Sequence, residues 1–385
     1  ENIRAGLSYF IIMHLSAAAI FGAMLLLTKN AGSANFDIFR LSATHISAQL
    51  STVIFILAIL GFGTKAGLMP FHAWLPDAHP AAPAHVSALM SGVMIKTPIL
   101  LLLRVIFEFL PAVLTWWGLS LLIVGALSAF LAILAGALQI NIKRLLAYSS
   151  IENIGLIFTA LGAAIIFHSF GVVPLALIAL TALLFHTLNH ALFKSLLFLS
   201  VGSIVLETGT ANMEKHGGLI KRMPRTAIAF LLAALAISAF PPLNGFMSEW
   251  LLLQSLFGGV LAQDLFVKSL FIFAIMLVVL ASGLTLLAFA KAFGVSFLAR
   301  PRSKESASAH EAEGGMQMSY LFVGTCILLL GIGAHFVVPM IQTVAETIGG
   351  TTFAQPVTTI SQPDGSIALA PVLVPSLQML SFSVL

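Results

Sequence analysis

Nine stretches of this 385-residue chain are long and apolar enough to cross a lipid bilayer: about residues 8–28, 48–69, 86–108, 116–138, 150–168, 173–201, 226–257, 267–297 and 319–341. A span needs about 20 mainly apolar residues, and in lipid every backbone N–H and C=O must find its partner inside the protein, so helices are expected. The chain is 59% hydrophobic and 8% charged, with a mean hydropathy of +1.06, whereas about a quarter of a soluble domain is charged. The expected fold is therefore an all-α polytopic membrane protein seated in the lipid bilayer.

Charge and cysteine content narrow the function. The net charge of +4 comes from few residues, and the Lys and Arg gather in short segments that read as membrane topology rather than a nucleic-acid surface, so no nucleic acid is expected as a partner. Cys326 is the only cysteine, which excludes an intrachain disulfide and a cysteine-held metal or iron–sulfur centre; any redox chemistry belongs to a partner. The clusters Lys143/Arg144, Lys215 through Arg225, and Arg300/Arg302/Lys304 follow spans four, six and eight and so lie on one face. By the positive-inside rule that face is cytoplasmic. The opposite loops carry little charge beyond Lys29, Asp37, Arg40, Asp264 and Lys268.

Two spans contain proline-rich breaks, AGLMPFHAWLP closing span two and AISAFPPLNGFMSEW inside span seven. Proline removes a backbone donor and clashes with the preceding turn, freeing carbonyls that lipid cannot satisfy, so each break must line protein or water. The breaks fall five spans apart, and an odd number of spans per unit inverts the second unit, the pattern of a transporter with inverted five-helix repeats and a path near the midplane. The expected division is 1–110 for the later part of the first repeat and 111–298 for the second. A basic loop and a further span follow over 299–345, then a Pro-rich interfacial segment over 346–385. With Glu1 at its start and neither an initiator Met nor a signal pattern, the chain is expected to continue beyond both ends.

The candidate site residues are the charges that membrane burial makes expensive, about 2.5–3.5 kcal/mol each on insertion scales. Lys65 directly precedes the first break, flanked by Gly61, Gly63 and Gly67, and reads as a protonatable group rather than a snorkelling one. Lys96 lies about ten residues into span three, two residues before Pro98. His186, His190 and Lys194 recur at i, i+4 and i+8 on one helix face, with about 6 Å of rise between rungs, and read as a relay. An H-x-x-x-H pair can also bind zinc, but no Glu follows His186 and no third ligand stands at usual spacing, so no metal is expected. Glu249 lies within the second broken helix, in the place that Lys65 has in the first, and reads as the exit-side acceptor. Lys291 is balanced between a further carrier and a snorkelling lysine near the basic segment. His72, Asp77, His79 and His85 in the first break could orient water at a channel mouth, or cap turns. Glu152 in AYSSIENIG and Glu108 at a helix end read as structural, and His14, His168 and His335 as core or interface residues.

KAGLMPFHAWLPDAHPAAPAHVSALMSGVMIK, NHALFKSLLFL and SAFPPLNGFMSEW resemble signature stretches of the antiporter-like subunits of respiratory complex I, Mrp cation/proton antiporters and energy-converting hydrogenases. More narrowly, HVSALMSGVMIK, LETGTANMEKHGGLIKRMPRTA and KAFGVSFLARPRS resemble the membrane subunits of hydrogenase-4 and formate hydrogenlyase type. The resemblance covers about residues 1–345 and implies a polar Lys/His/Glu axis along the membrane midplane, onto which Lys65, Lys96, His186, His190, Lys194 and Glu249 map. The glutamate that such subunits carry on the helix before span one, as a partner of the first lysine, is not in this sequence.

The implied function is translocation of protons, or of Na⁺, by a membrane subunit of a multi-subunit redox complex in the prokaryotic inner membrane. The chain itself would hold no cofactor. Partner membrane subunits and a peripheral redox arm would carry iron–sulfur clusters and, in a hydrogenase, a nickel–iron centre. The alternatives are an Mrp-type antiporter driven by an ion gradient and a non-pumping membrane scaffold.

Overall fold

The computed structural model describes residues 2–111 and 113–349, among which every regular element is helical. Eight helices are long and apolar enough to span: α1 (Asn2–Ala31), α2 (Ala48–Ala66), α4 (Ala84–Phe109), α5 (Thr115–Ala137), α6 (Ile142–Ser169), α7 (Val173–Thr208), α10 (Leu265–Phe297) and α11 (Gly314–Ile332). The short helix α3 (Leu75–Ala81) lies between α2 and α4. The seventh expected span is divided into α8 (Pro224–Ile237) and α9 (Asn244–Gly259), each too short to span alone, and α12 (Ala334–Gly349) follows α11. The ninth expected span is thus divided near Gly333, and helix continues to Gly349, so residues 346–349 are not yet the expected Pro-rich segment. The rest of that segment, 350–385, lies outside the described residues.

The expected start of span five is also corrected. Helix α6 begins eight residues earlier than the apolar run, because Asn141 caps it by accepting the N–H groups of Lys143 and Arg144 at 3.0 and 3.2 Å. The first basic cluster therefore occupies the opening turn of a helix.

Helix α6 is the hub. The whole of its most apolar stretch is buried, with α5, α7 and α10 packed around it. Close approach to α5 depends on glycines that face each other: a Cβ on Gly155 would stand 2.4 Å from the Ala129 nitrogen, and one on Gly162 would stand 2.3 Å from the Leu122 nitrogen. Between helices in lipid, where apolar burial gives no net drive, such backbone proximity supplies the packing energy.

Both proline-rich breaks are held by hydrogen bonds from protein groups. After α2 ends at Gly67 (φ +86°), the Thr64 carbonyl accepts the Gly67 N–H at 3.1 Å and also the Trp74 indole N–H at 3.0 Å, and the Met69 N–H reaches Ser128 of α5 at 3.3 Å. In the second break, Asn189 of α7 clamps the start of α9, donating to the Asn244 carbonyl at 2.7 Å and accepting from its side-chain amide at 3.2 Å. Irregular backbone at membrane depth is tolerated on this condition.

Candidate functional site

The polar residues inside the bundle converge on a band that is hydrogen-bonded from Lys96 to Lys194. It begins at Lys96, which is 5% exposed. The turn before it, Met90–Met94, is π-helical: the Ile95 N–H bonds Met90 and the Lys96 N–H bonds Val93, so the Ser91 carbonyl loses its usual i+4 main-chain donor. That carbonyl accepts the Lys96 ammonium.

From there the band crosses to α6. The Ser91 and Ser150 hydroxyls meet at 2.8 Å, and the Ser150 hydroxyl donates to the Leu146 carbonyl at 3.0 Å. The same carbonyl accepts the Lys194 ammonium from α7 at 2.8 Å, and Lys194 also reaches the Ser149 hydroxyl. Lys96 and Lys194, 98 positions apart in sequence, are linked through the Ser91 carbonyl and hydroxyl, the Ser150 hydroxyl and the Leu146 carbonyl.

The histidine ladder has the expected spacing, with the His186 and His190 rings 6.4 Å apart and nearly parallel. His186 Nε2 meets the Asn153 carbonyl oxygen at 3.1 Å, so Nε2 carries the proton, while Nδ1 meets the Ser248 hydroxyl of α9 at 3.0 Å. A hydroxyl can donate to a neutral ring or accept from a charged one, so His186 can hold either state without moving a heavy atom. His190 is fully buried, and neither ring nitrogen has a protein partner among the described residues.

Glu249 lies 5% exposed on α9 and accepts the Ser282 hydroxyl of α10 at 2.7 Å. Glu152, read from sequence as structural, belongs to the same interior: it is 1% exposed on α6, one oxygen accepts from the Asn153 amide, and Lys194 and Glu249 both stand within electrostatic reach. The signal that identifies it is the cost already applied to the lysines, since no other Asp, Glu, Lys or Arg lies between Arg144 and Lys194.

Other candidates fall elsewhere. Lys65 ends α2 half-buried, with no hydrogen bond or ion pair to another described residue. Lys291 donates to the Ala137 and Gln139 carbonyls at 2.6 and 2.9 Å, capping the end of α5 away from the band. The four residues of the first break do not form one mouth. Asp77 is a surface ion-pair partner of Arg144 at 3.1 Å, His85 is exposed and His72 is half-buried. His79 is fully buried, stacked 4.7 Å from Phe198 of α7, and both its ring nitrogens lack protein partners among the described residues. Glu108 is structural as expected, pairing with Arg40 at 2.7 Å and Arg104 at 3.3 Å. No group of three metal-ligating side chains occurs among the described residues.

A bundle of spanning helices with two interrupted elements and an internal Lys/His/Glu band is an antiporter-like integral membrane protein. Residues 1–285 match the NADH:quinone oxidoreductase/Mrp antiporter transmembrane family, and the chain belongs to that family. It is 42% identical over 352 residues to hydrogenase-4 component B of Escherichia coli (strain K12), covering 91% of this chain and 52% of that protein. To formate hydrogenlyase subunit 3 of the same strain it is 36% identical over 365 residues, covering 94% and 59%. The chain thus spans a little over half the length of these curated relatives. A subunit in the Mrp complex from Dietzia sp. DQ12-45-1b has the same fold, with a TM-score of 0.77 at 21% identity over 91% of this chain and 69% of that one.

Proposed function

We propose that the chain translocates protons, or Na⁺, as a membrane subunit of a multi-subunit redox complex of hydrogenase, formate hydrogenlyase or complex I kind. The observation that carries this reading is the hydrogen-bonded connection from Lys96 through Ser91, Ser150 and Leu146 to Lys194, continued by the His190/His186 ladder towards the second broken helix and Glu249. Every member is buried, and a fold that needed only apolar packing would not assemble so many costly groups in one band. Protonation of one site repels its neighbours, so charge entering at one end shifts occupancy along the row. Lys65 at the end of α2 stands apart from this row as a separate candidate carrier at the first break, and the unpartnered nitrogens of His79 and His190 suit a hydrated path.

Moving one charge against 100 mV takes about 2.3 kcal/mol. The sequence shows no nucleotide motif and a single cysteine, so in this reading that energy is drawn from partner subunits. In this reading those are further membrane subunits and a peripheral redox arm carrying iron–sulfur clusters, with a nickel–iron centre in the hydrogenase case. The complex would sit in the prokaryotic inner membrane with the basic connections after α5, α7 and α10 on the cytoplasmic side.

The test is redox-driven acidification of vesicles containing the intact complex. Glu249→Gln keeps size and hydrogen bonding but removes the charge, and is expected to abolish coupled proton movement while electron transfer continues. Full pumping by this variant would sink the reading.

A further inference from the structure

The row of carriers has a gap. On the ladder side, His186 meets Ser248, but the neighbouring Glu249 turns to Ser282 of α10, so no hydrogen bond joins the ladder to Glu249 among the described residues. Asn153, the other partner of His186, is an amide and cannot take up a proton at these pH values. Glu152 occupies this gap. It lies on the helix most completely enclosed by protein, with Lys194 facing it from α7, Glu249 from α9 and the Thr285 hydroxyl from α10. It forms no salt bridge among the described residues, and its Oε1 has no hydrogen-bond partner of ordinary length there. A purely structural carboxyl at such depth would have both oxygens satisfied, because an unmet buried acceptor costs about 1–3 kcal/mol. With the Thr285 hydroxyl facing the carboxyl and no geometrically formed hydrogen bond on Oε1, that oxygen can receive a proton.

We propose that Glu152 is itself a proton carrier, passing a proton between Lys194 and Glu249. Because Lys194 and Glu152 lie beyond ion-pair distance and Glu152 shares no hydrogen bond with Glu249, each hop runs through bridging water. In one direction the Lys194 N–H bond breaks as an O–H bond forms on Glu152, and that proton then moves to the Glu249 carboxylate, regenerating the Glu152 carboxylate; the reverse direction uses the same bonds. Asn153 positions both branches, since its amide holds Glu152 while its carbonyl holds His186.

This rests on the translocation reading above, and the experiment separates the two. Redox-driven proton flux is measured in vesicles for the assembled complex bearing Glu152→Gln, Glu152→Asp or Glu249→Gln. Gln keeps the Asn153 contact, so a structural role predicts unchanged flux. The carrier role predicts a loss of about tenfold or more with Gln and partial recovery with Asp. If Glu249→Gln abolishes flux and Glu152→Gln does not, the role of Glu152 is overturned while the translocation reading stands. If all three variants pump fully, both fall. Should the Gln variant fail to assemble, turnover-induced infrared difference spectra decide: a protonated-carboxyl band that shifts in Glu152→Asp supports the carrier, and the absence of any band sensitive to that substitution overturns it.

Discussion

Lys96 and Lys291 carry the same ammonium on spanning helices, yet their surroundings give them different roles. Lys96 is held by a carbonyl that a π-helical turn has released, inside a chain of hydroxyls leading to Lys194. Lys291 closes the end of α5 by taking two carbonyls that the helix cannot satisfy itself. Replacing Lys291 with Met is expected to lower stability by about 1–3 kcal/mol, the usual cost of unmet buried acceptors, with ion flux per assembled complex unchanged. Thermal unfolding and vesicle flux measured on the same preparation check this; a pumping defect without a stability defect would place Lys291 in the path. Sequence alone balanced two roles for this residue because depth along a helix says nothing about which carbonyls lie within reach. For Glu152 the sequence signal existed, as an isolated charge in an uncharged interior, but its neighbours on α7, α9 and α10 are set by tertiary packing.

At the scale of elements, the proline punctuation located both broken segments, because proline's missing donor acts locally. What closes each break was not legible: the clamps from Trp74 and Asn189 join residues distant in sequence or across a turn. The same holds for the connector between α7 and α8. Gly217 and Gly218 adopt left-handed φ values of +118° and +65°, and a Cβ on Gly217 would lie 2.4 Å from the Arg300 carbonyl oxygen. His216 beside them is buried, with Nε2 donating to the Thr210 carbonyl at 3.0 Å and Nδ1 facing Ser296 at 3.3 Å. Burial lowers its pKa from the ordinary 6.5, the Thr210 hydrogen bond opposes that, and the nearby Arg302 adds to the lowering. Because the folded value lies below the unfolded one, this contribution to stability is complete above about pH 6.5 and is lost as pH falls, when the unfolded connector takes up a proton first. Amide exchange across residues 209–223 is expected to accelerate on going from about pH 7.5 to below 6 beyond the intrinsic pH effect, and to lose that excess in His216→Gln. Equal excess in both proteins would rule His216 out as the cause.

For the whole molecule, hydropathy located the spans and the family resemblance followed from motifs in order, so the class of fold was readable without coordinates. The seventh span resolved into two half-helices because Pro241 and Pro242 interrupt one apolar run that hydropathy averages over. The route through the bundle was not readable, since the serines and asparagines that join the lysines carry no charge and stand out only when packing brings them together. The central claim is that Lys194, bonded to the serine network and within electrostatic reach of His190 and Glu152, is a carrier rather than a packed cation. Its most direct test is the number of protons moved per electron pair by the intact complex in sealed vesicles, wild type against Lys194→Met. The account predicts that electron transfer persists while the protons moved through this subunit fall by about tenfold or more; an unchanged proton-to-electron ratio in the assembled variant would contradict it.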